Sequence, residues 1–320
     1  MDAVLEILRD PVLREIVLSP AFLAVIGLCV GSFLNVVIYR TPVMLHREWL
    51  SECAEQMALT DELQRYTGID ATQAGQLAEA AAPMGAALAA QPPFSLARPA
   101  SRCPHCGHQL SWHENLPLLG WLRLGGKCAS CKAPISARYP FIELLTGTLF
   151  AAIAWRLGSE PVTLLYCGFA AALVALAGID WDTTLLPEHI NQPLIWAGLL
   201  GAFLGWIPVT LNDALIGAVV GYLSLWSIYW GYKLLTGKEG MGHGDFKLLA
   251  ALGAWLGWQM LIPVALCASL VGALVGLGMK FNGSLREGNV VPFGPFLAGG
   301  GLTVLLVGPA RVATWLIPPV

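Results

Sequence analysis

Long runs of apolar residues separated by short polar links make up most of this chain, apart from one polar segment between residues 40 and 138. A helix needs ~20 mostly apolar residues to cross the hydrocarbon of a bilayer. The pattern predicts about eight spans, the sixth rather short, at Pro20–Tyr39, Phe141–Leu157, Val162–Ile179, Ile190–Ile207, Ala214–Leu235, Phe246–Trp258, Gln259–Met279 and Phe293–Leu316. We therefore expect an all-α polytopic membrane protein.

The polar segment after the first predicted span differs in composition from the rest of the chain. Its first half contains ten alanines from Ala71 to Ala90 and predicts one or two amphipathic helices, with no evident chemistry. We expect three regions: residues 1–40 with an amphipathic lead-in and the first span, a cytoplasmic domain at 41–139, and a membrane core at 140–320. The lead-in lacks the basic start and small-residue cleavage site of a removable signal peptide.

Composition and charge support a membrane location and an orientation. Hydrophobic residues are 56% of the chain, charged residues are 12%, and the mean hydropathy is +0.64, whereas soluble domains are about a quarter charged. The net charge of −3 gives no reason to expect a nucleic acid as partner. Nine of the 18 basic residues lie in the polar segment, and Arg40, Arg47 and Arg138 lie close to the spans. By the positive-inside rule this segment is cytoplasmic, and counting crossings places both termini outside.

Two Cys-x-x-Cys pairs lie in the second half of the polar segment, with 21 residues between Cys103-Pro104-His105-Cys106 and Cys128-Ala129-Ser130-Cys131. Each pair can place two thiolates on one ion, and two pairs complete a tetrahedral four-sulfur shell. We predict a zinc site in a small ribbon-like insert, structural because four thiolates leave no open position for substrate. Disulfides are the alternative, although the cytoplasm is reducing, and a thiol redox centre is another.

A polar stretch rich in glycine lies between the fifth and sixth predicted spans: Gly240-Met241-Gly242-His243-Gly244-Asp245-Phe246-Lys247. Acids at the edge of a membrane are functional candidates by default. Gly242 and Gly244 allow backbone conformations closed to other residues and a close approach by another chain. Asp245 is accordingly a candidate catalyst, and the alternative is that it only caps the following helix.

A second acidic turn, Asp180-Trp181-Asp182, ends the third predicted span, and counting crossings places Asp180 on the same face as Asp245. Two carboxyls that share a site cannot both ionise cheaply, so one keeps its proton. The charged one can activate a water while the protonated one donates to a carbonyl oxygen. The rival function is a carrier or channel whose acids relay protons or bind a cation. Two observations argue against a carrier or channel: both acids lie at one face, and the spans contain no acids deep inside them.

Two further stretches leave alternatives open. In the first span, Gly31, Ser32 and Asn35 form a small and polar patch that either packs against another helix or contacts a substrate segment. Near the last span, Pro292-Phe293-Gly294-Pro295 is either a simple helix-entry turn or a stretch that presents unpaired backbone groups to an extended substrate.

Together these motifs resemble those of the bacterial type IV prepilin peptidases, in the Gly-x-Gly-Asp group of membrane aspartyl proteases. The resemblance extends in consistent order from about Gly31 to Pro295. The motifs that carry it are Gly31-Ser32-Phe33-Leu34-Asn35, the two Cys-x-x-Cys pairs, Arg138-Tyr139-Pro140, Asp180-Trp181-Asp182, Leu185-Leu186-Pro187 and the stretch Gly240–Lys247.

The resemblance implies an activity and a location. Such enzymes cut the basic leader from type IV prepilins and type II secretion pseudopilins after a glycine, at the cytoplasmic side of the bacterial inner membrane. They then methylate the new N-terminal residue with S-adenosylmethionine. By resemblance, Asp180 and Asp245 are the catalytic pair, and the zinc ligands are Cys103, Cys106, Cys128 and Cys131.

Three points go beyond the motifs or depart from them. Physical reasoning alone does not decide whether Asp180 or Asp182 is the catalytic acid. Asp182 is also suited to cap the next helix or to tune the pKa of its neighbour. Glu188 stands where many relatives have an aspartate, which retains the charge. The sequence has no nucleotide-binding glycine fingerprint, so methyl transfer rests on the resemblance alone and the site for S-adenosylmethionine is unknown.

Overall fold

The computed structural model of the protein describes residues 10–283, 291–308 and 311–312, and their regular structure is helical. Two isolated backbone bridges, Arg102 with Gln109 and Lys127 with Pro134, are the only strand-like pairings in these ranges. The helices are α1 Pro11–Val17, α2 Pro20–Ala58, α3 Thr60–Thr67, α4 Ala71–Ala89, α5 Leu119–Arg123, α6 Arg138–Leu157, α7 Val162–Thr183, α8 Glu188–Phe203, α9 Leu211–Thr236, α10 His243–Leu256, the 3-10 turn Trp258–Met260, α11 Leu261–Phe281 and α12 Gly294–Val307.

Five helical stretches among the described residues are long and apolar enough to cross a membrane: α2, α6, α7, α9 and Trp258–Phe281. This confirms a multi-pass, all-helical membrane protein, but the predicted count of eight spans is not confirmed. Three predicted spans correspond to α8, α10 and α12, which have 16, 14 and 14 residues. The last span was predicted to reach Leu316, which lies outside the described residues.

The three short helices are limited at their C-terminal ends by glycine. α8, α10 and α12 end one or two residues before Gly205, Gly257 and Gly308, whose φ angles are +67°, +85° and +96°. A positive φ ends an α-helix, and glycine adopts it without the penalty of a Cβ atom. Apolar residues continue beyond these glycines, which is why hydrophobicity alone placed the ends of α8 and α10 too late, at Ile207 and Trp258.

Residues 39–110 form one compact unit, and the described residues on either side of them form the other. The smaller unit contains the end of α2 together with α3 and α4, which are the helices expected from the alanine-rich sequence. Asp70 and Gln73 form a capping box at the start of α4. α2 continues without interruption past the boundary predicted at residue 40 and through Pro42.

Arg40 stabilises the smaller unit from inside α2. Its side chain is 8% exposed and donates hydrogen bonds to the backbone oxygens of Ser95 at 2.8 Å and Pro99 at 2.7 Å. Its guanidinium also lies 5.5 Å from the ring centre of Phe94. A buried guanidinium must have its donors satisfied, and these carbonyls satisfy part of them. Arg40 therefore ties the linker after α4 to the helix that precedes α3.

The larger unit has a continuous apolar core centred on aromatic residues of α7 and α10. The rings of Phe169 and Trp255 stack with centroids 4.8 Å apart, and Tyr166 packs edge-on against both. Trp255 Nε1 donates to the Leu194 carbonyl of α8 at 2.8 Å. These contacts join α7, α8 and α10 about ten residues along the chain from the acidic motifs.

α9 and α10 meet through glycine rather than through side chains. A Cβ atom at Gly217 would overlap the Gly253 carbonyl, and one at Gly253 would overlap the Gly217 carbonyl. One turn away, a Cβ at Gly221 would lie 2.6 Å from the Leu249 oxygen. Small residues spaced four apart let membrane helices approach at backbone distance. This contact sets the position of α10, which carries Asp245.

Candidate active site and metal cluster

Asp180 lies in the last turn of α7 and is buried, with 4% of its surface exposed. Its Oδ2 atom accepts a hydrogen bond of 2.9 Å from the backbone N–H of Gly294, the first residue of α12. The hypothesis that Pro292–Pro295 presents unpaired backbone groups to a substrate is therefore wrong for the Gly294 N–H. That donor is directed at a carboxylate of the protein itself.

Asp245 lies in the first turn of α10, outside the five long apolar helices, and is 7% exposed. The N-cap of this helix is Gly242, three residues before Asp245, and Gly242 has no side chain to cap the helix. The Oδ1 atom of Asp245 is buried and has no hydrogen-bond partner within the part of the chain that the structure describes. A buried carboxylate oxygen without a donor is costly when charged.

The surroundings of Asp245 favour its protonated form. Burial, and after it the nearby charge of Asp180, raise its pKa from 3.8 to about 7, while a backbone hydrogen bond with Gly242 opposes the shift. The effect of Asp180 shows that the two carboxyls are within electrostatic range although they come from different helices. A raised pKa in one member of a close pair of acids is the pattern expected when the pair shares a proton.

Two glycines allow the close packing around the pair. A Cβ atom at Gly294 would lie 2.6 Å from Asp180 Oδ2, and one at Gly244 would lie 2.7 Å from the Leu186 Cβ atom. Real Cβ atoms do not approach other atoms so closely, so any larger residue would displace these groups. Leu186 also lies close to the space that a side chain at Gly294 would occupy. The Leu-Leu-Pro and Gly-x-Gly-Asp motifs are therefore in contact.

Asp182 and Asp180 have different surroundings. The sequence alone could not tell which of the two belongs to the catalytic pair. Both carboxylate oxygens of Asp182 accept from Arg138 Nη1 at 2.7 Å, and the two side chains are 32% and 39% exposed. Arg138 Nη2 also donates to the Gly178 carbonyl at 3.3 Å. Asp182 thus forms an ion pair that joins α6 to α7, whereas Asp180 is buried beside α12.

A second ion pair links two of the sequence motifs. Lys247 Nζ contacts Glu188 Oε1, so the residue after Leu-Leu-Pro pairs with the lysine that follows Gly-x-Gly-Asp-Phe. The Glu188 side chain is 63% exposed. This contact requires the negative charge of Glu188, which an aspartate at the same position would also carry.

The patch Gly31, Ser32 and Asn35 packs against α6. Asn35 Nδ2 donates to the Tyr139 carbonyl at 3.1 Å, and a Cβ at Gly31 would lie 2.7 Å from the Glu143 Cα atom. Glu143 is itself buried and accepts from the Leu118 N–H at 2.7 Å. Of the two alternatives for this patch, helix packing is the one that the contacts support. The burial of Glu143 had no signal in the sequence beyond its place at the edge of a span.

The four cysteines of the Cys-x-x-Cys pairs converge. The sulfur atoms of Cys103, Cys106, Cys128 and Cys131 all lie within 4.8 Å of one another. Each pair lies in a tight turn of the same kind. The backbone N–H of Cys103 donates to the His108 oxygen in the first turn, and that of Cys128 donates to the Ala133 oxygen in the second, both at 2.8 Å.

The donor set fits one metal ion. Four sulfurs held tetrahedrally at ~2.3 Å from an ion are separated by roughly 3.8 Å, which agrees with the observed limit. Convergence of all four thiols is what a structural metal site requires, whereas a redox centre needs only two. The cluster could therefore bind a metal.

Comparison with known proteins gives a consistent result along the chain. A family model described as "Bacterial Peptidase A24 N-terminal domain" matches residues 25–157, and one described as "Type IV leader peptidase family" matches residues 167–277. The second match contains both Asp180 and Asp245. No solved structure matches the chain.

Curated relatives are similar over nearly the full length. A prepilin leader peptidase/N-methyltransferase of Aeromonas hydrophila is 48% identical over 291 residues, covering 91% of each chain. Proteins of the same description are 47% identical in Stutzerimonas stutzeri, over 91% of this chain and 92% of the relative, and 44% identical in Pseudomonas aeruginosa, over 91% of each.

Proposed function

The chain belongs to the type IV leader peptidase family, and from this membership we propose that Asp180 and Asp245 are the catalytic pair of a peptidase that acts on prepilins. The activity of the family is removal of a leader peptide followed by N-methylation, and the chain has both activities. The observation that supports the assignment of the pair is the burial of both acids within electrostatic range of each other. The two acids come from separate motifs.

Hydrolysis by such a pair requires one charged and one protonated carboxyl. The charged carboxylate takes a proton from a water molecule, whose oxygen attacks the carbonyl carbon of the scissile peptide. The protonated carboxyl gives its proton to the carbonyl oxygen, and a tetrahedral intermediate forms. When the intermediate collapses, the C–N bond breaks and the departing amine takes up the proton that was removed from the water. No metal is required in this scheme.

The proposed substrates are type IV prepilins and type II secretion pseudopilins, cut after a glycine. Both acids belong to motifs at the ends of helices rather than in the middle of a span. A substrate with its cleavage site at the membrane edge can reach such a pair. The basic residues Arg40, Arg47 and Arg138 near the spans support a cytoplasmic active face in a bacterial inner membrane.

We assign zinc to the cysteine cluster, held by Cys103, Cys106, Cys128 and Cys131 in a structural role. S-adenosylmethionine supplies the methyl group in the second activity. The described residues contain no strand–helix–strand unit with a glycine-rich turn, and the residues that hold this cofactor are not assigned.

Cleavage of a purified prepilin in detergent, with S-adenosylmethionine present, tests the catalytic pair. We expect Asp180→Asn and Asp245→Asn to lose cleavage by at least a thousandfold, because asparagine keeps the shape but cannot transfer the proton. Asp182→Asn is the matched control and should retain most activity, because Asp182 is paired with Arg138 at the surface. The mass of the wild-type product should show one added methyl group.

Cleavage by either Asp180→Asn or Asp245→Asn at the wild-type rate would refute the proposed pair. If Asp182→Asn loses cleavage while Asp180→Asn remains active, then Asp182 and not Asp180 is the catalytic acid of α7. In each case a thermal unfolding measurement shows whether the variant is folded.

A further inference from the structure

The N-terminus of α12 and the carboxylate of Asp180 are in direct contact. The Gly294 N–H donates to Asp180 Oδ2 at 2.9 Å, in a buried position. Gly294 is the first residue of a 14-residue helix. The first N–H groups of a helix have no partner within the helix and carry a partial positive charge. A hydrogen bond from such a group stabilises a carboxylate more when it is charged than when it is protonated.

Asp245 receives no comparable support at its buried oxygen. Its Oδ1 atom has no donor among the residues that the structure describes. The carboxyl of Asp245 forms one backbone hydrogen bond, with Gly242. The two acids therefore differ at their buried oxygens: Asp180 Oδ2 accepts from the N-terminus of α12, and Asp245 Oδ1 has no donor among the described residues. A single negative charge shared by the pair is more stable on Asp180.

We propose that Gly294 is a positioning residue, whose N–H keeps Asp180 charged while Asp245 retains the proton. This inference rests on the proposed catalytic pair and adds the assignment of roles within it. Asp180 is then the base that takes the proton from water, and Asp245 is the acid that donates to the carbonyl oxygen. Only glycine fits at this position, because a Cβ atom at Gly294 would lie 2.6 Å from Asp180 Oδ2.

Two basic residues on the helices around Asp180 are paired with other acids, and the buried Glu143 of α6 accepts from the Leu118 N–H. Arg138 of α6 binds Asp182, and Lys247 of α10 binds Glu188 of α8. His243 of α10 lies against the ring of Tyr229, 5.0 Å between centroids. α12 has no charged residue within Gly294–Val307, so the contribution of this helix to Asp180 comes from its backbone.

The pH dependence of cleavage by Gly294→Ala tests the proposal. The acid limb of the profile of kcat/KM reports the group that must be charged in the free enzyme. Alanine keeps the backbone N–H, but its Cβ atom would lie 2.6 Å from Asp180 Oδ2 and would push the carboxylate away from this donor. Loss of a hydrogen bond to a charged group corresponds to a shift of about one pH unit or more. We expect the acid limb of Gly294→Ala to move up by about one unit, with the alkaline limb unchanged.

Gly299→Ala is the matched control, because it adds the same methyl group on the same helix, where a Cβ atom meets nothing. Its profile should match that of the wild type. If Gly294→Ala lowers the rate or raises KM without moving the acid limb, the residue only provides space and the proposal is overturned. This failure differs from failure of the catalytic pair, which would appear as activity in the asparagine variants.

A second measurement does not depend on the folding of Gly294→Ala. Infrared spectroscopy detects the carbonyl band of a protonated carboxyl. At pH 5.5, the wild-type minus Asp245→Asn difference spectrum should contain this band, and the wild-type minus Asp180→Asn spectrum should not. The reverse pattern would place the proton on Asp180 and refute the assignment.

Discussion

At the scale of single residues, Asp180 and Asp245 show how two acids of one site acquire different properties. Both are buried at helix ends, and both belong to motifs that contain other polar residues. Each has one backbone hydrogen bond, Asp180 with Gly294 and Asp245 with Gly242, but the buried Oδ1 atom of Asp245 has no donor in the described structure. The protonation of the pair therefore depends on backbone groups that the side-chain pattern does not reveal.

The raised pKa of Asp245 predicts a pH dependence of stability. Its pKa is about 7 in the folded chain, whereas an aspartate in the unfolded chain has its ordinary pKa of 3.8. Between these values the folded state binds more protons than the unfolded state, so stability falls as pH rises from about 4 to about 7 and then levels off. Thermal unfolding in detergent across pH 4.5–8 should show this decline, and Asp245→Asn should reduce it.

Asp182→Asn provides the comparison for this measurement, since it removes a partly exposed carboxylate near the same site. It should keep the wild-type decline. An equal decline in wild type and Asp245→Asn would show that other groups cause the pH dependence.

The sequence alone could name candidates for the site. Asp245 stands out because an acid among glycines at the edge of a span is unusual. The cysteine spacing, together with a cytoplasmic location, favours a metal over a disulfide. The different surroundings of Asp180 and Asp182 could not be predicted, because they depend on Arg138, which binds Asp182 from another helix. The contact of Gly294 with Asp180 joins residues 114 apart in sequence, and no local pattern encodes it.

At the scale of helices, the position of Asp245 depends on the glycine contact between α9 and α10. Gly217 and Gly253 bring the two backbones together without intervening side chains. α10 is short, with 14 residues, and has little length over which to distribute a displacement. A small shift at this contact is therefore transmitted to Asp245, which lies near the start of the same helix.

Gly217→Ala should disturb this contact and lower both stability and cleavage. Its methyl group would overlap the Gly253 carbonyl, and overpacking of this kind costs about 1–3 kcal/mol. The matched control is Gly231→Ala in the same helix, where a Cβ atom meets nothing. Thermal unfolding and the rate of prepilin cleavage should both fall for Gly217→Ala and stay near wild type for Gly231→Ala. Equal behaviour of the two variants would show that the helices can move apart without cost.

Helix existence was more predictable than helix length. Every predicted span contains a helix in the described structure, because apolar runs of this length have few other ways to satisfy their backbone. The ends were less predictable. α8 and α10 stop near glycines of positive φ within apolar sequence. α2 continues beyond Tyr39, where Arg40 donates to carbonyls 55 and 59 residues away.

At the scale of the whole molecule, two kinds of interaction stabilise the chain. The membrane helices are joined by apolar and backbone packing around Phe169 and Trp255. The stretch from Cys103 to Cys131 contains little regular structure, only the short helix α5 and tight turns. A stretch of this kind requires another source of stability, and the four-sulfur cluster can provide it.

Loss of one cysteine ligand should therefore release the metal. We expect about one zinc ion per chain in the purified wild type by elemental analysis and much less in Cys103→Ser, with a lower thermal midpoint. Cys53→Ser is the control, since Cys53 is exposed and outside the cluster. Full zinc retention in Cys103→Ser, or no zinc in the wild type, would refute a zinc site formed by these thiols.

The glycine contact between α9 and α10 also limits how this protein can diversify. In a library that replaces every position and selects for assembled pili, Asp180 and Asp245 should be intolerant because of their chemistry. Gly217 and Gly253 should be intolerant for another reason, since they lack room for a single methyl group. Lipid-facing positions of the same helices should vary freely. Exposed surfaces of these helices can therefore diverge, while the contact that positions Asp245 is inherited almost unchanged.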